Sequence, residues 1–362
     1  MNIALSRRRM MQTAGAAAVT PSLSAAAGRQ WPVAEGPDTP KLCLGIPSGP
    51  DDATMRRMQQ IGVNHVLGGG PKIPWQEADL RARMERLKTG GLTLCNLMIG
   101  GFPNTIYGRP GRDEEIDQVI QSIRAAGRVG LPVIEYNFYA HRITEGYYAE
   151  TGRGGSGLTA FDYDKVKDLP PLPEIGAHDL ESMWSNITYF LKAVVPAAEE
   201  AGVRLALHPN DPPAPLSRGS GQIMSTLAGW KRLIAIVPKP ANGITYDCGV
   251  TRELGEDPVE VLRYFGSRDR INHMHFRNVI VRKPYEKYTE MAPDEGQVDM
   301  FAVMREVVRQ KYTRAIYPEH PRLLDADKEL GAKNFYPGGG GYVGLTFNVA
   351  YARAMLQAAL SS

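Results

Sequence analysis

Arg204-Leu205-Ala206-Leu207-His208-Pro209-Asn210-Asp211-Pro212-Pro213 is a short apolar run closed by an imidazole and followed by a proline-rich turn. The pattern recurs three times downstream. Gly243 to Cys248 ends in Tyr246-Asp247-Cys248-Gly249, Ile271 to His275 ends in His273-Met274-His275-Phe276-Arg277-Asn278, and Ala315 to Pro318 leads into Glu319-His320. Each run reads as a buried strand, and each ends on a residue type that binds metals. Four such ends, spread over about 110 residues, can converge only if the strands lie side by side in one parallel sheet or barrel.

Outward from these four, apolar runs alternate with amphipathic stretches for eight rounds. The expected strands are Leu42 to Ile46, Val63 to Leu67, Leu92 to Ile99, Val133 to Phe138, Arg204 to His208, Gly243 to Cys248, Ile271 to His275 and Ala315 to Pro318. Helical periodicity falls between and after them, from Asp51 to Ile61 through Leu180 to Ala201 to Val343 to Leu360. Helical connections force parallel pairing, and eight such units close into a (β/α)8 TIM barrel, one α/β domain over residues 41–362. A doubly wound open sheet is the competing architecture. Against it, the first strand-to-helix turn, Ile46-Pro47-Ser48-Gly49-Pro50-Asp51, holds no GxGxxG. Barrel active sites lie at the C-terminal strand ends, where all four candidate ligands fall. Residues 139–177, rich in Gly, Pro and Tyr, far exceed an ordinary connection of about 2 to 6 residues. They are expected to form a lid over that mouth.

His208, Cys248, His275 and Glu319 offer two imidazoles, a thiolate and a carboxylate, a set that suits a divalent transition metal. His273 lies two residues before His275, so it points the same way but deeper, and reads as a core histidine. His320 projects differently from Glu319, close to a bound metal without ligating it, as suits a general acid or base. Arg277 offers a planar fork for a substrate carboxylate. Gly338-Gly339-Gly340-Gly341-Tyr342 precedes the last helix, whose N-terminus is able to help hold an anion.

Together these motifs resemble the mannonate dehydratase family, metal-dependent (β/α)8 enzymes of hexuronate breakdown, from about Arg112 to the C-terminus. The matching pieces are Arg112-Asp113, Tyr136-Asn137-Phe138, His208-Pro209-Asn210-Asp211-Pro212-Pro213, Cys248-Gly249, His275-Phe276-Arg277-Asn278, Glu295-Gly296 with Asp299-Met300, and Pro318-Glu319-His320. The resemblance implies a lyase that converts D-mannonate to 2-keto-3-deoxy-D-gluconate and water. It implies Mn2+, with Zn2+ or Co2+ as alternatives, on His208, Cys248, His275 and Glu319, and proton transfer by His320 and Tyr342. Three segments depart from the family pattern. Arg-Pro-Asp-His is replaced by Tyr317-Pro318-Glu319-His320, Cys-x-Gly-Ser by Cys248-Gly249-Val250-Thr251, and Trp-x-Arg-Thr is missing around Tyr139 to Thr144. These changes fall on the substrate side. They keep open a metal-dependent sugar isomerase or epimerase of the same barrel type, and, outside the enzymes, a non-catalytic periplasmic sugar-binding protein.

The N-terminus carries a separate message. Ser6-Arg7-Arg8-Arg9-Met10-Met11-Gln12 precedes an Ala/Gly-rich run ending at Ala25-Ala26-Ala27, the pattern of a twin-arginine export signal over residues 1–27, with a linker over 28–40. A periplasmic protein is expected, loaded with metal before export. Without residues 1–27 the 42 basic side chains fall to 39, against 39 acidic ones, so nothing in the charge argues for nucleic acid or an anionic membrane. Three cysteines are too few for a disulfide scaffold. The expected partner is a small sugar acid or sugar, and the sequence leaves self-association into a homo-oligomer open.

Overall fold

The apolar runs do form strands, and the helices between them turn every strand the same way. The computed structural model describes residues 32–332 and 336–362; the expected export signal lies outside the described residues. In chain order the strands are β1 (Lys41–Gly45), β2 (His65–Gly69), β3 (Thr93–Ile99), β4 (Val133–Tyr136), β5 (Tyr147–Thr151), β6 (Gly157–Asp162) and β7 (Arg204–Leu207). There follow β8 (Leu216–Ser217), β9 (Ser220–Gly221), β10 (Asn242–Asp247), β11 (Ile271–His275), β12 (Asn278–Lys283), β13 (Lys287–Met291) and β14 (Ala315–Tyr317).

Eight of them close a barrel in the order β1-β14-β11-β10-β7-β4-β3-β2. All neighbours are parallel, and β14 returns to β1 through the pairs Lys41 with Ala315 and Leu42 with Ile316. This is the (β/α)8 barrel expected from the sequence. Its outer helices include Asp52–Gln60, Arg112–Val129, Leu180–Ala201, Leu227–Ile236, Pro258–Gly266, Met300–Arg309 and Tyr342–Ser361.

Capping sets where helices begin. The Thr226 hydroxyl accepts from Gly229 N at 3.0 Å and satisfies an amide that the first turn of Leu227–Ile236 leaves without a partner. Thr226→Ala should lower stability by about 1 kcal/mol, seen as a lower urea midpoint at unchanged slope.

Residues 139–177 are more ordered than a plain lid loop. They supply β5 and β6, which pair antiparallel with each other, and β6 continues onto β13 and β13 onto β12, giving the sheet order β12-β13-β6-β5. The excursions after the fourth and seventh barrel strands thus make one sheet. It has its own small core of Ile143, Tyr147, Phe161, Tyr163, Val166 and Tyr288.

The glycine run is tightly held. Gly338 sits at φ +74°, and a Cβ there would stand 2.1 Å from Leu158 O, so no other residue fits. The helix after the run already has its anion, because Asp327 accepts from Val343 N at 2.9 Å and from Gly344 N at 3.1 Å.

Candidate active site

Alternation along a strand decides which side chains enter the barrel. On β10, Thr245 points inward and donates to Glu135 Oε1 at 2.8 Å, while Tyr246 points outward and donates to Pro258 O at 2.6 Å. Asp247 therefore shares the inward side, and Cys248 does not. On β11 the same rule sends His273 and His275 inward, one above the other. A polar column results, with Asn96, Glu135, Thr245 and His273 buried below and His275, Asp247, His208 and Glu319 above.

Those upper four offer donor atoms that all lie within 4.8 Å of one another. His275 Nδ1 is 3.1 Å from His208 Nε2, 3.0 Å from Glu319 Oε1 and 3.8 Å from Asp247 Oδ2. Metal bonds of ~2.1 Å place neighbouring donors roughly 3 to 3.5 Å apart, so the spacing fits one divalent cation. The backs of the rings agree. His208 Nδ1 lies 2.7 Å from Pro209 O, which can only accept, so Nε2 is the bare nitrogen. His275 turns Nε2 toward Glu135 Oε1 at 3.5 Å, the outer carboxylate contact that orients a ligating histidine. Glu319 Oε1 is buried and has no aligned hydrogen-bond donor. Burial opposes charge on His275, yet Glu319 and Glu135 outweigh it and raise the ring to about 9. Positive charge is what this centre favours.

Cys248 stands outside the group. Its thiol faces the carbonyl of Arg277 at 3.2 Å, and burial pushes it well above the usual thiol range. The missed residue is Asp247, and a signal for it existed: in Cys-x-Gly-Ser the cysteine stands two residues before the glycine, and here Asp247, not Cys248, stands two before Gly249.

His320 lies at the rim, its backbone at φ +45°, a strained conformation for a residue other than glycine. Arg322 grips its carbonyl from Nε at 3.1 Å and Nη2 at 2.7 Å. Its Nδ1 meets Glu290 Oε2 on β13 at 3.0 Å, and Nε2 is 3.5 Å from Glu319 Oε2. Burial alone would lift the Glu290 carboxyl, but His320, Arg322 and Arg277 hold it down at about 2.

Arg277 is placed differently from its expected role. Only 2% exposed, it is hydrogen-bonded to Asp247 (3.0 Å) and Glu253 (2.6 Å), ion-paired with Asp211 (3.5 Å), and does not line the cavity beside the cluster. Tyr342 also turns away, its hydroxyl donating to Arg57 O at 3.0 Å. The cavity beside the cluster, about 190 Å³, is lined instead by Tyr336, Tyr139 and Arg142 together with His208, His275, Glu319 and His320. Arg142 is anchored by Asp211, and Tyr336 packs its ring 5.5 Å from that of His320. Larger clefts elsewhere, such as the one lined by Val259, Arg263, Ala302 and Glu306, lie among the outer helices. Chemistry, not volume, marks the site.

Comparison with known proteins agrees with this geometry. The family model described as D-mannonate dehydratase (UxuA) matches residues 174–361. The mannonate dehydratase of Thermotoga petrophila is 29% identical over 328 residues, covering 79% of this chain and 90% of the relative. That of Lactococcus lactis subsp. cremoris is 27% identical over 320 residues, 76% and 88% of the two chains. The crystal structure of mannonate dehydratase from Streptococcus suis serotype 2 superposes with a TM-score of 0.79 at 26% identity, over 89% of this chain and 94% of that one.

Proposed function

The chain belongs to the D-mannonate dehydratase family and is a hydro-lyase, and from that premise we propose that it removes water from D-mannonate at the barrel mouth, releasing 2-keto-3-deoxy-D-gluconate. The observation that carries this reading is the convergence of His208, Asp247, His275 and Glu319 on one centre, with His320 3.5 Å from Glu319 at its edge. A divalent cation held by these four supplies Lewis-acid stabilisation of the negative charge that develops on the substrate carboxylate.

The protein's own residues do the rest. Arg142, the cavity's guanidinium, takes the role expected of Arg277 and orients the acid end. With its Nδ1 proton committed to Glu290, neutral His320 presents a bare Nε2. That nitrogen takes the proton from the carbon next to the carboxylate. The electron pair forms the new double bond as the neighbouring carbon–oxygen bond breaks, and the same imidazolium returns its proton to the departing hydroxyl as water. The enol left behind tautomerises to the 2-keto acid. Glu290 and Glu319 favour the imidazolium while it exists. Tyr336 walls the cavity over His320 and keeps bulk water from the reacting carbons.

Incubating the metal-loaded protein with D-mannonate should yield one 2-keto-3-deoxy-D-gluconate per substrate consumed, and chelator treatment should stop it. Interconversion of free keto-sugars without dehydration would instead favour an isomerase or epimerase. The Arg-Arg motif of residues 1–27 supports a further proposal, that the protein is exported by the twin-arginine route and works in the periplasm. No helix among the described residues is long and apolar enough to cross a membrane.

A further inference from the structure

We infer that the cation centre is thiol-free: Asp247 completes a set of two imidazoles and two carboxylates, Cys248 is excluded from it, and the site is thereby tuned toward ions of the Mn2+ class and away from soft ones. This rests on the metal-dependent reading above and adds that no thiol takes part and which ions the donor set prefers.

Three fixed contacts hold the strand-to-helix junction in this orientation. Asp247 Oδ1 accepts from Val250 N at 2.8 Å, capping the helix Cys248–Glu253. Asp247 Oδ2 accepts from Arg277 Nε at 3.0 Å, and Thr251 Oγ1 donates to Asp247 O at 2.7 Å. The carboxylate is thus aimed at the centre by the backbone that follows it and by a buried guanidinium. The same turn carries Cys248 to the other side of the chain, where it is fully buried with its sulfur against Arg277 O. Moving the sulfur to the cluster would require unwinding the helix start and breaking the Asp247 cap. The backbone at Gly249 lies so close to Arg277 that a Cβ there would stand 2.8 Å from that side chain, which leaves the turn little room to shift toward it.

The donor set has a chemical consequence. Thiolate is the soft ligand that most favours Zn2+ and softer ions, whereas carboxylate oxygens suit Mn2+ and Mg2+. Two carboxylates also balance a divalent charge without any cysteine that oxidation could remove.

Co2+ serves as the probe, because a cobalt–thiolate bond gives an intense near-ultraviolet charge-transfer band and nitrogen or oxygen donors do not. The wild-type protein loaded with Co2+ should bind one equivalent and show no such band, and Cys248→Ser should leave spectrum and stoichiometry unchanged. Asp247→Cys should gain the band and raise the Zn2+ to Mn2+ affinity ratio at least tenfold in competition titrations. A band in the wild type that Cys248→Ser abolishes overturns the inference while leaving the metal-dependent reading intact. Failure of the wild type to take up any Co2+, Mn2+ or Zn2+ overturns that reading, and the inference with it.

Discussion

His320→Ala should lower kcat by about 10²- to 10⁴-fold, the usual range for losing a general acid–base group, while metal content stays at the wild-type level. The separation follows from geometry. His320 Nε2 is 3.5 Å from Glu319 Oε2, and the ring is no member of the four-residue cluster, so its removal takes no donor from the cation. What it removes is the one imidazole whose neighbours were built to hold it as a base. Arg322 fixes its carbonyl in a strained backbone conformation and Glu290 fixes its Nδ1 proton. The pH dependence has a definite sign. Burial lowers the His320 pKa, but Glu290 and Glu319 outweigh burial and leave it above its ordinary value of 6.5. Because the neutral ring is needed to start the reaction, kcat/KM should fall on an acidic limb as pH drops, and His320→Ala should lose that limb. Full activity in the variant, or metal lost together with activity, would remove His320 from the proton-transfer step.

The barrel was legible because parallel strands are buried on both faces and read as unbroken apolar runs. Ile271 to His275 was read with both ends correct, and the excess in Val133 to Phe138 is two residues past Tyr136. The cap sheet was not legible. β6 pairs with β13, whose residues lie more than a hundred positions away, as in Thr159 with Glu290, and no local pattern announces a partner so distant. The strand ends expected to carry the ligands do converge, but Asp247 and not Cys248 is the side chain that joins the other three. Ending the sixth barrel strand at Cys248 rather than Asp247 reversed which of the two faced inward, because a strand alternates with every residue. Choosing Tyr342 over Tyr336 has another cause. Both phenols flank the glycine run, and only the folded path around Gly338 decides which one reaches the cavity. Arg277 shows a third limit: its residue type suits a carboxylate, but Asp211, Asp247 and Glu253 come from separate segments that converge on it only in the closed barrel.

Arg277→Met should cost about 3 to 5 kcal/mol of stability, the range for breaking a buried ion pair from one side, and so exceed any surface substitution in this protein. The size comes from what is left behind. Asp247 and Glu253 are fully buried and Asp211 nearly so, and Arg277 also lies 3.5 Å from Glu319 and 4.0 Å from Glu290. In the wild type burial would raise the Asp211 carboxyl, but Arg277 and Arg142 hold it well below the ordinary carboxylate range. A carboxylate depressed in the folded state gives stability that is present above its unfolded value and lost as pH falls through its folded value. The contribution of Asp211 and Glu290 to wild-type stability should therefore hold constant from pH 7 to pH 5 and be lost below that, as the pH approaches the Glu290 value of about 2. In Arg277→Met the balance shifts the other way. Buried acids stripped of the guanidinium have folded pKa values above their unfolded ones, and at Glu253 burial outweighs even the pairing with Arg277 and lifts the carboxyl well above 4.5 in the wild type. The folded state of the variant then binds still more protons relative to the unfolded one, and its stability should rise more steeply than the wild type's as pH is lowered from 7 to 5. Urea unfolding of both proteins at several pH values tests this directly. Curves for the variant that run parallel to wild type across that window would show that Arg277 fills space without balancing the acids.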